Sequence, residues 1–205
     1  MSLLLDIDGV LIRDKKLLSH VKSNCVRYVR SKLPSEKNPH EVNAKLVKLY
    51  GHTARGLKSV YNIDASDFNK KVYDGPLIDH LWSILSGKEF QDDAEEIHAL
   101  TTDGWRVQLF SNCPLDWSLP VAQAISDQVQ VASDGIYFKP DPGAYLKFNQ
   151  KIKHTFVDDS LRNLDAVRSH TLWRPVHFST DSRQSDYPTV NSIWSLALFL
   201  RSEKF

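Results

Sequence analysis

The chain has 205 residues, a length between that of one typical domain and that of two, so we expect one core with a modest inserted module. Apolar residues make up 41% and charged residues 25%, which excludes collagen-like, low-complexity and intrinsically disordered proteins. Basic residues exceed acidic residues by only one and are not clustered, so the charge pattern typical of a nucleic-acid-binding protein is absent.

The apolar segments near the two termini and the two cysteines indicate which cellular compartment to expect. The apolar run 3–5 is broken by Asp6 and Asp8, and the apolar tail 193–200 is short, so neither predicts a signal peptide or a membrane span. The two cysteines, Cys25 and Cys113, lie far apart and form no disulfide framework. We therefore expect a cytoplasmic monomer or homodimer with no membrane or nucleic-acid partner.

Short apolar runs predict five buried strands. The runs cover residues 3–7, 105–110, 129–132, 155–157 and 176–178. Helices are predicted between them at 94–100, from Pro142 onward, and at 161–170, where Asn163 is expected to be a local partner at the helix start. Strands that alternate with helices predict an α/β fold, a Rossmann-like parallel sheet flanked by helices, with ligands beyond the carboxyl ends of the strands.

Residues 14–95 do not follow this alternation. Apolar side chains recur there at helical spacing, which predicts an all-helical cap inserted after the first strand. The predicted organisation is a core of residues 1–13 and 96–205 with a cap of residues 14–95. The segment 180–205 is expected to dock on the sheet, and the five tryptophans are expected to serve as packing residues.

Polar clusters fall at the carboxyl ends of the predicted strands. Asp6 and Asp8 stand two residues apart after the first strand, where both can reach one ligand. If they are buried together, the pKa of one carboxyl rises, so one can act as a nucleophile while the other carries a proton. The scattered histidines show no metal-ligand spacing, so any metal here should be bound by oxygen.

The clusters resemble, in order, the four motifs of the haloacid dehalogenase (HAD) superfamily of phosphohydrolases. The matching segments are Asp6-Ile7-Asp8-Gly9-Val10, Phe110-Ser111-Asn112, Lys139-Pro140 and Val157-Asp158-Asp159-Ser160. The resemblance implies a phosphatase in which Asp6 attacks phosphorus to form an aspartyl-phosphate. It implies that Asp8 protonates the leaving oxygen and later deprotonates water.

The same resemblance implies how the phosphate and a metal would be held. Ser111 would hydrogen-bond a phosphate oxygen, Lys139 would neutralise the phosphoryl group, and Asn112 is a candidate substrate-binding residue. The implied cofactor is Mg²⁺, which prefers oxygen ligands. Its implied ligands are Asp6, the backbone carbonyl of Asp8, Asp159 directly and Asp158 through a bound water.

A charge count gives Asp8 a second reason to carry a proton. The carboxylates of Asp6, Asp8, Asp158 and Asp159 carry four negative charges, whereas Lys139 and one Mg²⁺ together carry three positive charges. One net negative charge therefore remains in the pocket before a phosphate dianion arrives. Protonation of Asp8 would bring the pocket to zero, so general-acid catalysis and substrate admission would require the same proton. We expect kcat/KM to fall at alkaline pH.

The cap contains one segment with a pattern of its own. Residues 50–57 resemble the cap segment of the pyrimidine 5'-nucleotidase branch, and Arg55 or His52 could contact the leaving group. The structural alternative is a surface or intra-cap ion pair. Asp8 is followed by Gly-Val-Leu, where that branch has Asn-Thr-Leu, and Gly-Val is widespread among sugar-phosphate phosphatases of the superfamily.

These features predict a Mg²⁺-dependent phosphatase acting on a small phosphomonoester, with a nucleoside 5'-monophosphate as the first candidate. A phosphomutase or another phosphotransferase keeps the same motifs and is the main alternative. A carbon–halogen hydrolase would lack the carboxylate of Asp8. A catalytically silent binding module would have lost at least one motif residue, and none is lost here.

Overall fold

The computed structural model describes residues 1–132, 137–181 and 185–202. The strands are β1 (Ser2–Leu5), β2 (Arg106–Leu109), β3 (Gln130–Val131), β4 (His154–Asp158), β5 (Trp173–Phe178) and β6 (Thr189–Val190). The helices before β2 are α1 (Lys15–Lys32), α2 (Pro39–Tyr50), α3 (Thr53–Tyr61), α4 (Phe68–Val72), α5 (Gly75–Leu85) and α6 (Lys88–Thr102). The later helices are α7 (Leu115–Ile125), α8 (Pro142–Leu146), α9 (Leu161–Asp165) and α10 (Ile193–Ser202).

The strands form one parallel sheet in the order β3-β2-β1-β4-β5-β6. The central strand β1 pairs with β2 and β4, with Leu5 opposite both Leu109 and Val157. All residues of β1 are buried, as a central strand covered on both faces requires. The predicted α/β fold with a parallel sheet flanked by helices is therefore confirmed.

Two apolar clusters cover the two faces of the sheet. Because side chains alternate along a strand, Leu3 and Leu5 enter one cluster and Leu4 enters the other. The first cluster contains the apolar faces of α5, α6, α7 and α10. The second is rich in aromatic residues, with Phe110 and Phe156 packed against side chains of α8 and α9. Burial on both faces fixes the strand ends that carry the polar clusters.

The helical stretch between β1 and β2 has two parts. Side chains from α1 to α4 form a third cluster around Tyr28, Leu46 and Phe68. In contrast, the buried leucines of α5 belong to the cluster that covers the sheet. Leu17 at the start of α1 also belongs to that cluster, and the limits 14 and 95 for a separate cap stay a prediction.

Some element boundaries differ from the sequence prediction. The helix expected over 161–170 ends at Asp165, because the amides of Val167, Arg168 and His170 bond carbonyls three residues back, as in turns. The helix expected over 94–100 begins at Lys88. The two-residue strand β6 was not predicted, since it is too short to show a period.

The carboxyl-terminal helix docks on the core, as expected. Its residues Ile193, Leu196, Ala197 and Leu200 are buried in the cluster that contains α6. Residues 182–184 and 203–205 of the segment 180–205 lie outside the described residues. Among the described helices, none combines the length and the apolar character that a membrane span requires.

Candidate active site

The predicted polar clusters meet at one edge of the sheet. Asp6 directly follows β1, and its amide donates to the carbonyl of Val157 at 3.0 Å. On the other side, the amide of Phe110 donates to the carbonyl of Leu5 at 2.7 Å. The side chains that follow β1, β2 and β4 are therefore brought together by backbone pairing.

A tight turn after β1 places Asp8. The amides of residues 10, 11 and 12 all donate to the carbonyl of Ile7, at 3.3, 2.9 and 2.9 Å. Gly9 has a φ of 89° in this turn, and a Cβ added there would lie 2.3 Å from Oδ2 of Asp159. Glycine thus serves two needs, a left-handed backbone and a close approach to Asp159.

Lys139 lies at the centre of the acidic cluster. Its side chain is 1% exposed, and Nζ lies 2.6 Å from Oδ2 of Asp158 and 3.0 Å from Oδ1 of Asp6. Burial by itself lowers the pKa of a lysine, but the two carboxylates outweigh it and raise the pKa of Lys139 above its ordinary value. Lys139 is therefore a fixed cation between two buried carboxylates.

Three carboxylates form a group suited to a divalent cation. Asp6, Asp158 and Asp159 each offer an oxygen, and these oxygens lie within 4.8 Å of one another. Asp159 is exposed to solvent whereas Asp6 and Asp158 are buried, and partial desolvation, then the charges of neighbouring carboxylates, raise the pKa of Asp159 to about 7. Desolvation also raises the pKa of Asp158 to about 7, against the opposing effect of Lys139. Three carboxylates beside one lysine carry excess negative charge that a divalent cation would balance, and their hard oxygen donors fit Mg²⁺.

Asp158 is held by the start of α9. It accepts hydrogen bonds from the amide of Ser160 at 2.9 Å and from Nδ2 of Asn163 at 3.0 and 3.1 Å. The sequence identified Asn163 only as a local partner at the helix start. The structure shows that this partner is the buried carboxylate itself, so Asn163 orients a predicted site residue.

The carboxyl group of Asp8 is held by two donors on separate oxygens. The Cys113 thiol donates to Oδ2 and the indole Nε1 of Trp117 donates to Oδ1, both at 3.2 Å. Burial, then the nearby charge of Asp6, raise the pKa of Asp8 to about 6, while the two hydrogen bonds act in the opposite direction. The sequence treated Trp117 as a packing residue, and no pattern along the chain indicated its contact with Asp8.

Ser111 and Asn112, the polar residues that follow β2, make different contacts. Ser111 is buried, and its hydroxyl donates to Sγ of Cys113 at 3.1 Å. The side chain of Asn112 bonds to backbone groups. Its Oδ1 accepts from the amide of Lys139 at 2.7 Å. Its Nδ2 donates to the carbonyl of Lys139 at 2.9 Å and to the carbonyl of Gly51 at 3.3 Å. Asn112 therefore joins the Lys139 segment to the end of α2, and its predicted contact with substrate stays a prediction.

The two candidate residues of the helical insert, His52 and Arg55, contact residues that follow β3. The ring of His52 stacks on Phe138, with centroids 4.3 Å apart and planes at 12°, and burial lowers the pKa of His52 to about 4. Arg55 of α3 forms an ion pair with Asp141 at the start of α8, so the pair is not internal to the helices between β1 and β2. The predicted substrate contacts of His52 and Arg55 stay predictions.

Arg162 was missed by the sequence analysis. Its guanidinium donates to carbonyls of the last turn of α2, those of Val47, Lys48 and Leu49. The carbonyl of Val47 also accepts from the amide of Gly51, and a cation at the carboxyl end of a helix is favourable. Arg162 thus adds a further contact between the core and α2.

A cavity of about 450 Å³ lies at the opposite edge of the sheet, near the amino ends of β4 and β5. Its lining includes Trp105, His154 and Trp173, and none of the described residues that line it has a carboxylate side chain. The candidate site is therefore the acidic cluster, which has the charges and fixed hydrogen bonds that chemistry requires.

Comparison with known proteins supports the fold. A HAD phosphatase from Thermococcus onnurineus aligns with a TM-score of 0.63 at 15% identity, over 100% of this chain and 99% of that one. CbbY from Rhodobacter sphaeroides, in complex with phosphate, aligns with a TM-score of 0.58 at 15% identity over 95% of each chain. YfnB from Bacillus subtilis, assigned as a HAD-hydrolase and bound to magnesium, gives 0.52 at 12% identity over 98% of each chain.

These similarities show that the chain has the fold of HAD hydrolases. No protein-family model matches the sequence, and no curated protein matches it either.

Proposed function

We propose that this protein is a Mg²⁺-dependent phosphatase that hydrolyses a small phosphomonoester through an aspartyl-phosphate on Asp6. The observation that carries the proposal is the buried cluster in which Lys139 joins Asp6 to Asp158, with Asp8 held separately on the adjoining turn. The fold shared with a phosphatase and with a phosphate-bound protein supports the same class of reaction.

The proposed reaction has two steps, and Asp6 and Asp8 act in both. In the first, an oxygen of Asp6 bonds to phosphorus, the bond from phosphorus to the leaving oxygen breaks, and Asp8 gives its proton to that oxygen. In the second, Asp8 takes a proton from water, the water oxygen bonds to phosphorus, and the bond to Asp6 breaks. The second step releases inorganic phosphate and restores both carboxyl groups.

The remaining side chains hold the phosphoryl group and its charge. Lys139 is already fixed beside Asp6, so it stabilises charge on the transferred oxygens without reorganisation. The hydroxyl of Ser111 lies next to Cys113 and would turn toward a phosphate oxygen. Asn112 fixes the backbone that carries Lys139.

The acidic cluster provides the ligands for the proposed metal. Mg²⁺ would be held by Asp6, the backbone carbonyl of Asp8, Asp159 and, through a water, Asp158. When bound, the ion supplies positive charge that balances the carboxylates and polarises the phosphoryl group.

The direct test is phosphate release from nucleoside 5'-monophosphates and sugar phosphates with Mg²⁺. We expect the wild type to release phosphate and Asp6→Asn to fall to background, because the amide is not a nucleophile. Asp127→Asn, an exposed position, is the matched control and should keep full activity. Turnover by Asp6→Asn at the wild-type rate would refute the assignment of the nucleophile.

Metal binding is tested without turnover. Mg²⁺ should raise the Tm of the wild type, because a ligand of the folded state stabilises it, and Asp159→Asn should show a smaller shift. An equal shift in both proteins would contradict the proposed ligand set.

A phosphomutase is the alternative that the same experiment separates. It would form the aspartyl-phosphate but pass the phosphoryl group to a second hydroxyl of a sugar phosphate. Isomerised sugar phosphate in place of free phosphate would establish that reaction.

A further inference from the structure

Two hydrogen bonds hold the Asp8 carboxyl group more firmly than an unbonded aspartate side chain on a turn would be held. Rotation about the last side-chain torsion of an aspartate is soft, so its two oxygens are ordinarily poorly fixed. Here Trp117 bonds one oxygen and Cys113 the other, each at 3.2 Å. Two donors on different oxygens select one orientation of the carboxyl plane.

The two donors are themselves fixed. Trp117 is fully buried in the first turns of α7, and its ring meets that of Tyr73 edge to face, with centroids 5.1 Å apart. Cys113 is buried, and the hydroxyl of Ser111 lies 3.1 Å from its sulfur. Neither donor can turn away from Asp8 without losing buried packing contacts.

The arrangement leaves room for proton transfer. A carboxylate has about four lone-pair sites, so one donor on each oxygen leaves a site for the transferred proton. A general acid must lie within hydrogen-bond reach of the atom it protonates, and its orientation decides whether it does.

We propose that Trp117 and Cys113 are positioning residues that fix the Asp8 carboxyl group for proton transfer to the leaving oxygen. The inference rests on the proposed phosphatase function. Neither residue touches the substrate in this role, and both act through Asp8. The alternative is that Trp117 and Cys113 only fill space beside the turn after β1.

The test compares two aryl phosphates that differ in the basicity of the leaving oxygen. Phenyl phosphate needs protonation of its leaving oxygen, whereas p-nitrophenyl phosphate has a good leaving group and needs little. In Trp117→Phe we expect kcat/KM for phenyl phosphate to fall about tenfold more than kcat/KM for p-nitrophenyl phosphate. Because both values come from one sample, the fraction of folded protein cancels in their ratio.

Changes at Cys113 give an independent and nearly isosteric test. Cys113→Ala should change the ratio in the same direction, and Cys113→Ser, which keeps a donor, should restore it. This pair decides the question if Trp117→Phe does not fold. On any phosphomonoester that the phosphate-release screen identifies, Cys113→Ala should lower kcat about tenfold with KM within about twofold of the wild type.

The control for lost packing is Trp173→Phe. Trp173 is also buried but belongs to the cluster on the other face of the sheet, so its loss should leave the ratio unchanged. An unchanged ratio in Trp117→Phe and Cys113→Ala, with unchanged kcat on the screened substrate, would overturn the inference. A wild type without turnover of any phosphomonoester would instead refute the proposed function.

Discussion

Gly51 offers a sharp test of how the helical insert is joined to the catalytic edge. It ends α2 with a φ of 75°, and a Cβ added there would lie 2.2 Å from the carbonyl oxygen of Lys139. Real Cβ contacts are essentially never under 3.0 Å, so Gly51→Ala must separate the two backbones by about 0.8 Å. The neighbouring atoms are the backbone carbonyl of Lys139 and Cδ of the Pro140 ring, so they cannot simply rotate away.

The size of the effect follows from what the displaced backbone carries. Lys139 is the buried cation beside Asp6, and a misplacement of about 1 Å near a reacting group can lower the rate about 100-fold. We therefore expect kcat/KM of Gly51→Ala to fall about 100-fold. The left-handed backbone adds a loss of roughly 1–2 kcal/mol in the free energy of unfolding.

The control is Gly104→Ala. Gly104 also has a left-handed backbone, with a φ of 86°, but a Cβ added there meets nothing within 4 Å. It should lose the same roughly 1–2 kcal/mol in urea unfolding while kcat/KM stays within about twofold. If the two variants lost activity equally, the close contact between Gly51 and the Lys139 segment would not be what positions Lys139.

Three further predictions concern charge and pH. The unfolded chain protonates His52 near pH 6.5 and the folded chain only near pH 4, so the stability should fall as pH drops through this window, by up to about 2 kcal/mol at pH 5. Urea unfolding of His52→Gln should lack this part of the pH dependence. Lys139→Met leaves Asp158 buried without its cation and should cost about 3–5 kcal/mol of unfolding free energy in metal-free buffer. If Lys139→Met were as stable as the wild type in metal-free buffer, this would contradict a stabilising ion pair between Lys139 and Asp158. Arg162→Ala should lower stability by about 1 kcal/mol and speed hydrogen exchange in the last turn of α2, and unchanged exchange would show that its contacts do not hold that turn.

The core strands and the ends that carry the polar residues were predictable because their signals are local. A central parallel strand is buried on both faces, so it appears as an uninterrupted apolar run such as residues 3–5. The carboxyl ends of parallel strands share one edge, so Asp6 and Asp158 could be expected to meet. Elements without a local signal were missed, and the two-residue β6 is defined only by its pairing with β5.

The sequence by itself determined the type of fold, the order of the acidic and basic groups and the helical nature of the insert, since each depends on neighbouring residues. The tertiary structure alone decided which partners orient those groups. Trp117 reaches Asp8 across 109 positions, and Asn112 binds Gly51 across 61. Contacts of this kind depend on how elements pack and leave no periodic pattern along the chain, which is why neither the bond from Trp117 to Asp8 nor the contact of Asn112 with Gly51 was predicted.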